Sequence, residues 1–592
     1  MTLNILNKIN EPKDLKSLSR EELNLLSSEI RDVLIKRVST TGGHFGPNLG
    51  MVEATIALHY VFNSPVDKFV YDVSHQSYVH KMLTGRKEAY INPEKFKTVT
   101  GYTEPKESEH DFFTIGHTST SISLACGLAK GRDAVGSNEN IIAIIGDGSL
   151  SGGEAYEGLN NAAASNKNII ILVNDNDMSI AENHGGLYKN LAQLRESEGK
   201  SDNNFFKSLG FEYHFVKDGN NLESLIETFE KVKDTTRPVV VHMHTIKGKG
   251  YEDAENNKEA FHWVMPFDLE TKEPLFKGEY VKSYGDITED FLIEKAKKDK
   301  SIVAITAATP GIVGVNRFRS ELSDQYVDVG IAEEHAIALA SGMAKRGAKP
   351  VAAFLSSFIQ RTYDQLSQDL AINNNPATIM VYWGGISGSD VTHLGLFDIP
   401  LISNIPNMVY LAPTTKEEHL AMVDWAIEQD KHPVAIRVPN MEVVSTGVAV
   451  EANFDELNKY VMVEEGKDVA IIGLGSFFHL GKKVQERLRN TGINATLINP
   501  RFITGVDEDL LNELKENHKV VITLEDGILD GGFGEKISRF YGNSQMRVLN
   551  FGATKEFTDS VELDVLYERY HLTEELIVED IEKVLADIKV FA

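Results

Sequence analysis

Two β-branched runs, each ending in acidic and amide residues, restrict this chain more than any other feature. The first is Ile141-Ile-Ala-Ile-Ile-Gly-Asp-Gly-Ser149, and the second is Asn168-Ile-Ile-Ile-Leu-Val-Asn-Asp-Asn-Asp-Met178. Short apolar runs of this kind read as buried parallel strands, and residues 152–164 between them read as a crossover helix. A right-handed crossover places both carboxyl ends on one edge of a sheet. Open α/β sheets bind their ligands along that edge. Asp147 then offers a carboxylate oxygen and Asn176 an amide oxygen to one hard cation. Magnesium suits such a pair, because it takes few protein ligands and completes its octahedron with phosphate oxygens and water. The plainer reading is a strand–helix–strand unit with polar loop tips, and Gly-Asp-Gly by itself is a short pattern with many chance matches.

The 592 residues allow about three to four domains. Residues 1–275 alternate helical and strand patterns, and a polar stretch near 252–277 reads as a linker. A second α/β series occupies residues 276–445, and a third occupies 455–592. With 60 Lys and Arg against 87 Asp and Glu, the net charge of −27 argues against a nucleic-acid partner. The one cysteine, Cys126, excludes an internal disulfide and reads as a packed core thiol. No apolar run reaches the roughly twenty residues needed to cross a bilayer. Residues 1–20 are polar, so no secretory signal is expected and the expected location is the cytoplasm.

Asp147 with Asn176 resembles the Gly-Asp-Gly…Asn signature of thiamine-diphosphate enzymes, in which the backbone carbonyl of Met178 would be a third protein ligand. Further segments resemble the 1-deoxy-D-xylulose-5-phosphate synthase family along essentially the whole chain. These are Gly42-Gly-His-Phe-Gly-Pro-Asn-Leu-Gly50, Asp72-Val-Ser-His-Gln-Ser-Tyr-Val-His-Lys81, Gly116-His-Thr-Ser-Thr-Ser-Ile-Ser123, Asp328-Val-Gly-Ile-Ala-Glu-Glu-His335 and Phe358-Ile-Gln-Arg-Thr-Tyr-Asp-Gln365. The resemblance implies three doubly wound open-sheet α/β domains, transketolase-like: a diphosphate- and magnesium-binding domain, a pyrimidine-binding domain and a C-terminal domain. It also implies a homodimer whose product serves isoprenoid and thiamine biosynthesis.

The implied reaction is decarboxylation of pyruvate and condensation of the two-carbon unit with glyceraldehyde 3-phosphate, with thiamine diphosphate and Mg2+ as cofactors. Glu333 matches the glutamate that hydrogen-bonds the aminopyrimidine ring, and Phe358 matches the residue packed against that ring. His44, His75 and His262 match histidines facing the reacting carbons, with Asp390, His393 and Arg361 on the substrate side. His75, Gly116, His117, Gly148, Ser149 and Lys247 match further cofactor contacts. Plainer readings stand beside several of these: Glu333 and Glu334 as acids favoured in a helix's first turn, Phe358 as a core aromatic and Lys247 as a loop lysine, while His80 is expected to be structural.

The departures are informative. Where the resemblance implies a tyrosine and two arginines around the acceptor phosphate, this chain has Leu355, Trp383 and Asn440. Each lost charge-assisted hydrogen bond costs about 1.5–3 kcal/mol. The sequence therefore leaves open an acceptor aldehyde that is phosphorylated or not. A transketolase using a ketose donor and a non-catalytic paralogue are the other readings, as is, more distantly, a decarboxylating dehydrogenase component.

Overall fold

The computed structural model describes residues 3–165, 168–276, 278 and 281–591. Its contacts divide the chain into two compact units, residues 1–279 with 330–332, and residues 280–329 with 333–592.

The first unit is built on a parallel sheet in the order β2-β3-β4-β6-β5. Its strands are β2 (Lys68–Tyr71), β3 (Ile141–Gly146), β4 (Ile170–Asp175), β5 (Glu212–Val216) and β6 (Val239–His244). β3 and β4 are buried almost throughout, as central strands covered on both faces must be. The crossover between them is the helix Gly153–Ala163, preceded by a short 3₁₀ turn, Gly148–Ser151. A separate antiparallel pairing joins β1 (Gly43–His44) to β7 (Trp263–Val264). The stretch expected to be a linker near 252–277 therefore belongs in large part to this unit: it contains the helix Glu252–Asn256 and β7, and Phe267 is in the core.

The second unit carries two sheets. One has the order β12-β13-β11-β10-β8-β9. It comprises β8 (Ile302–Thr306), β9 (Tyr326–Asp328), β10 (Lys349–Leu355), β11 (Thr378–Tyr382), β12 (Val409–Leu411) and β13 (Val434–Arg437), all parallel. The other has the order β14-β16-β15-β17-β18. Its members are β14 (Val461–Glu464), β15 (Asp468–Gly473), β16 (Thr496–Asn499), β17 (His518–Ile528) and β18 (Arg547–Ala553), and β14 alone runs antiparallel to its neighbour. β17 runs on through Glu525-Asp-Gly527 to Ile528, although those three residues have the composition of a turn. Cys126 is half-buried, with its Sγ 3.9 Å from the carbonyl of Gly158. No helix of the described residues is long and apolar enough to cross a membrane.

Candidate active-site residues

Neighbouring strands explain the first cluster. β3 and β4 pair with Gly146 opposite Asn174, so Asp147 and Asn176 emerge side by side from the carboxyl edge of the sheet. Both are buried. Asp147 Oδ2 accepts hydrogen bonds from the Met178 N–H at 3.1 Å and the Asn183 amide at 2.7 Å. Asn176 Oδ1 is buried and has no hydrogen-bond partner among the described residues, a costly condition unless something else meets it. Burial and the neighbouring Asp175 carboxylate push the Asp147 carboxyl well above its ordinary range. Burial acts the same way on Asp175, but His242 and Arg195 outweigh it and hold that group down to about 2. A divalent cation would answer both the unpartnered amide oxygen and the strained carboxylate, and the donors are the hard oxygens that Mg2+ prefers. Gly148 is required by contact: a β-carbon there would lie 2.4 Å from Ser179 Oγ. Lys247 is buried beside this loop and donates to the Ser179 carbonyl at 2.7 Å. Burial brings its ammonium down to about 7, against the pull of Asp147.

Asp72, at the end of β2, ties a second loop to the first. Its carboxylate accepts from the N–H groups of Ser119 at 2.8 Å and Ser121 at 3.0 Å, and Ser119 Oγ donates to the Ser149 carbonyl at 2.9 Å. Gly116 and His117 lead into this anchored turn ahead of the helix Ser121–Val135. The loop with Gly148 and Ser149 and the loop with Gly116 and His117 are thus cross-linked through one buried carboxylate.

Three of the five candidate histidines, His44, His75 and His262, meet. Ring centroids are 4.8 Å apart for His44 and His75, 5.7 Å for His44 and His262, and 5.2 Å for His75 and His262. The β1–β7 pairing sets His44 opposite Trp263 and so brings in His262. Asn48 holds the cluster together, its amide donating to the carbonyls of His44 at 2.9 Å and His75 at 2.8 Å. Val73 and Ser74 present His75 from a backbone with φ of 57° and 67°, an unfavourable conformation for a β-branched residue. Burial, Lys247 and the other two histidines push the His262 imidazole well below 6.5, so it is neutral at neutral pH. Tyr102 joins the group 5.9 Å from His44, and nothing in its sequence context singled it out. His80 lies in another network, between His59 and Asp111 at 2.9 Å each, and Arg86 also binds Asp111.

The second unit gathers its own set. Glu333 opens the helix Glu333–Lys345 a few residues after β9. It is buried, its Oε2 has no hydrogen-bond partner among the described residues, and Arg361 Nη1 lies within ion-pair distance of that oxygen, 3.8 Å away. Burial pushes the carboxyl up to about 7 although Arg361 opposes it. Phe358 meets His393 edge-on at 5.7 Å. Thr392 Oγ1 lies 2.8 Å from His393 Nδ1, and Asp390 Oδ1 lies 3.3 Å from the same nitrogen. Burial raises the Asp390 carboxyl, but His393 and Thr392 more than offset this and leave it below its usual range.

Leu355 and Tyr382 end the adjacent strands β10 and β11 in register, and Trp383 follows with φ 56° and 54% exposure. Asn440 follows β13 and lines a cavity of about 370 Å³ with Gly384, Gly385 and Ser476. Arg437 is nearby but fully occupied: it pairs with Asp398 at 2.7 Å and with Asp526.

The family pattern for 1-deoxy-D-xylulose-5-phosphate synthase matches residues 6–202 and 198–245. The transketolase pyrimidine-binding domain matches residues 282–444, and the transketolase C-terminal domain matches 458–577. A 1-deoxy-D-xylulose-5-phosphate synthase of Natranaerobius thermophilus is 40% identical, covering 90% of each chain. One of Caldanaerobacter subterraneus subsp. tengcongensis is also 40% identical, covering 98% of each. Among solved structures, a transketolase from Leishmania mexicana aligns over 95% of this chain and 97% of its own at 15% identity, with a TM-score of 0.43.

Proposed function

The chain belongs to the 1-deoxy-D-xylulose-5-phosphate synthase family, and we propose that it decarboxylates pyruvate and joins the two-carbon unit to glyceraldehyde 3-phosphate, giving 1-deoxy-D-xylulose 5-phosphate and CO2. The observation that carries this reading is a pair of buried oxygens at matching motif positions, Asn176 Oδ1 and Glu333 Oε2, that accept no hydrogen bond among the described residues, although Arg361 lies within ion-pair distance of the second. Such groups are expensive to bury unmet and mark places where a ligand completes the structure.

In this reading Asp147, Asn176 and the Met178 carbonyl hold Mg2+, while Gly116, His117, Gly148, Ser149 and Lys247 meet the diphosphate. Thiamine diphosphate, when bound, supplies an electron sink for the carbanion left by decarboxylation. Glu333 keeps a proton on its carboxyl near neutral pH and would hydrogen-bond the pyrimidine ring, against which Phe358 would pack. Neutral His262 accepts or returns a proton at Nδ1, with His44 and His75 orienting the substrate. Arg361, Asp390 and His393 bind and orient the pyruvate-derived group. The enzyme acts as a cytoplasmic homodimer, its three family-matched segments serving as diphosphate, pyrimidine and C-terminal domains.

A second reading, transfer to an aldehyde without a phosphate, is favoured by one observation. The ends of β10, β11 and β13 offer the uncharged Leu355, Trp383 and Asn440, and the adjacent Arg437 is already neutralised by two aspartates. Release of CO2 from pyruvate, measured with thiamine diphosphate and Mg2+, tests both. Stimulation by glyceraldehyde 3-phosphate supports the first reading, stimulation by glyceraldehyde alone the second, and no release on any aldehyde refutes both.

A further inference from the structure

The turn bearing Asn176 is held from behind by side chains that the chemistry above does not use. Asn176 stands between two aspartates, and one guanidinium binds both. Arg195 Nη1 donates to both oxygens of Asp175 at 2.7 Å, and its Nη2 is 2.9 Å from Asp177 Oδ1. Arg195 comes from the last turn of the helix Gly186–Glu196. Asp177 has φ 65°, a left-handed conformation that aspartate tolerates better than most residues and that needs support to persist. Two further strands brace Asp175. The registers set His242 opposite both Val173 and Phe215, so Asp175, His242 and Tyr213 share one face of the sheet. His242 Nε2 is 2.8 Å from Asp175 Oδ2, and its Nδ1 is 2.8 Å from the Tyr213 hydroxyl.

We propose that Arg195, with the His242–Tyr213 pair behind Asp175, is a positioning device that fixes the Asn176 amide oxygen as a ligand for an octahedral cation. The inference rests on the reading of Asp147 and Asn176 as cation ligands. Its physical basis is the rigidity that Mg2+ demands: near-ideal octahedral geometry at about 2.0–2.1 Å, where Ca2+ accepts irregular sites. A side chain that merely stabilises the fold affects both ions alike. One that places a ligand matters more for Mg2+.

The full-length protein is titrated with Mg2+, and separately with Ca2+, at saturating thiamine diphosphate, with binding followed by calorimetry. Arg195→Met is expected to weaken Mg2+ binding by about 10–100-fold, the usual consequence of losing an outer-shell partner, and Ca2+ binding clearly less. Arg195→Lys keeps the charge without the fork that spans two carboxylates, and is expected to behave like the Met variant. Tyr213→Phe removes one hydroxyl and is expected to shift Mg2+ affinity a few-fold in the same direction; it keeps the test open if the arginine variants do not fold. Unchanged Mg2+ affinity in a folded Arg195→Met protein, or equal losses for both ions, overturns the proposal. If the unaltered protein binds no Mg2+ with thiamine diphosphate, the functional reading itself falls and takes this inference with it.

Discussion

Replacing Glu333 by Gln should cost activity and gain stability, with a pH signature that identifies the cause. The carboxyl is buried and raised from 4.5 to about 7, which at 1.36 kcal/mol per pH unit corresponds to about 3 kcal/mol. The sign follows from linkage. Below pH 4.5 the group is protonated both folded and unfolded and costs nothing. Between 4.5 and about 7 the unfolded chain ionises while the folded one is held neutral, so the penalty grows; above about 7 it is complete. Glutamine mimics the neutral acid, so Glu333→Gln should match the unaltered protein near pH 4.5 and exceed it by about 3 kcal/mol at pH 8. Urea unfolding of the cofactor-free protein at both pH values reads this difference. Turnover of pyruvate should fall by about 10²–10⁴, the usual worth of a positioned proton donor. A variant no more stable than the original at pH 8, or a stability difference independent of pH, would refute the argument that burial governs this carboxyl.

Three further outcomes are expected. Gly148→Ala brings a β-carbon to 2.9 Å from Ser179 Cα, so backbone must move; we expect a loss of about 1–3 kcal/mol in urea unfolding together with weaker Mg2+ binding, and an unchanged Mg2+ titration would contradict this. Asp111→Asn breaks a buried ion pair with Arg86 and disturbs the hydrogen bond to His80, and should cost about 3–5 kcal/mol. Burial raises the Asp111 carboxyl, but Arg86 and His80 overcome that and hold it well below its ordinary 3.8, so its contribution persists above 3.8 and is lost only in stronger acid; thermal unfolding should show the same gap at pH 5 and pH 8. On the second reading of function, Trp383→Arg with Asn440→Arg should raise kcat/KM for glyceraldehyde 3-phosphate relative to glyceraldehyde by about 10² or more, since each restored charged hydrogen bond is worth about 1.5–3 kcal/mol. A folded double variant with no such change counts against that reading.

What the sequence disclosed was local. The apolar runs ending at Gly146 and Asp175 announced adjacent strands, and the residues after them announced the oxygen donors. Three histidines separated by up to 218 positions were named only because their motifs resembled a family; no periodicity says that His262 meets His44. Asp72, Asn48, Tyr102 and Arg195 escaped notice because their work is done through distant partners. Asp72 caps backbone 47 and 49 residues away, and Arg437 finds Asp526 across 89. A carboxylate that binds backbone N–H groups looks, in a sequence, like any solvated aspartate. The extension of β17 to Ile528 is hidden for the converse reason: Glu-Asp-Gly reads as a turn, and it lies where the register with β18 shifts, between Leu524 and Ile528.

The pairing of β1 with β7 has a bearing on how the first unit is made. The strands that carry Asp147 and Asn176 lie in the five-stranded sheet, which is complete at His244, whereas the partner of His44 arrives only at Trp263. Closing so long a loop is entropically costly and is paid late, after local structure has formed. In chain order, the strands leading to Asp147 and Asn176 therefore precede Trp263, the residue that pairs with His44.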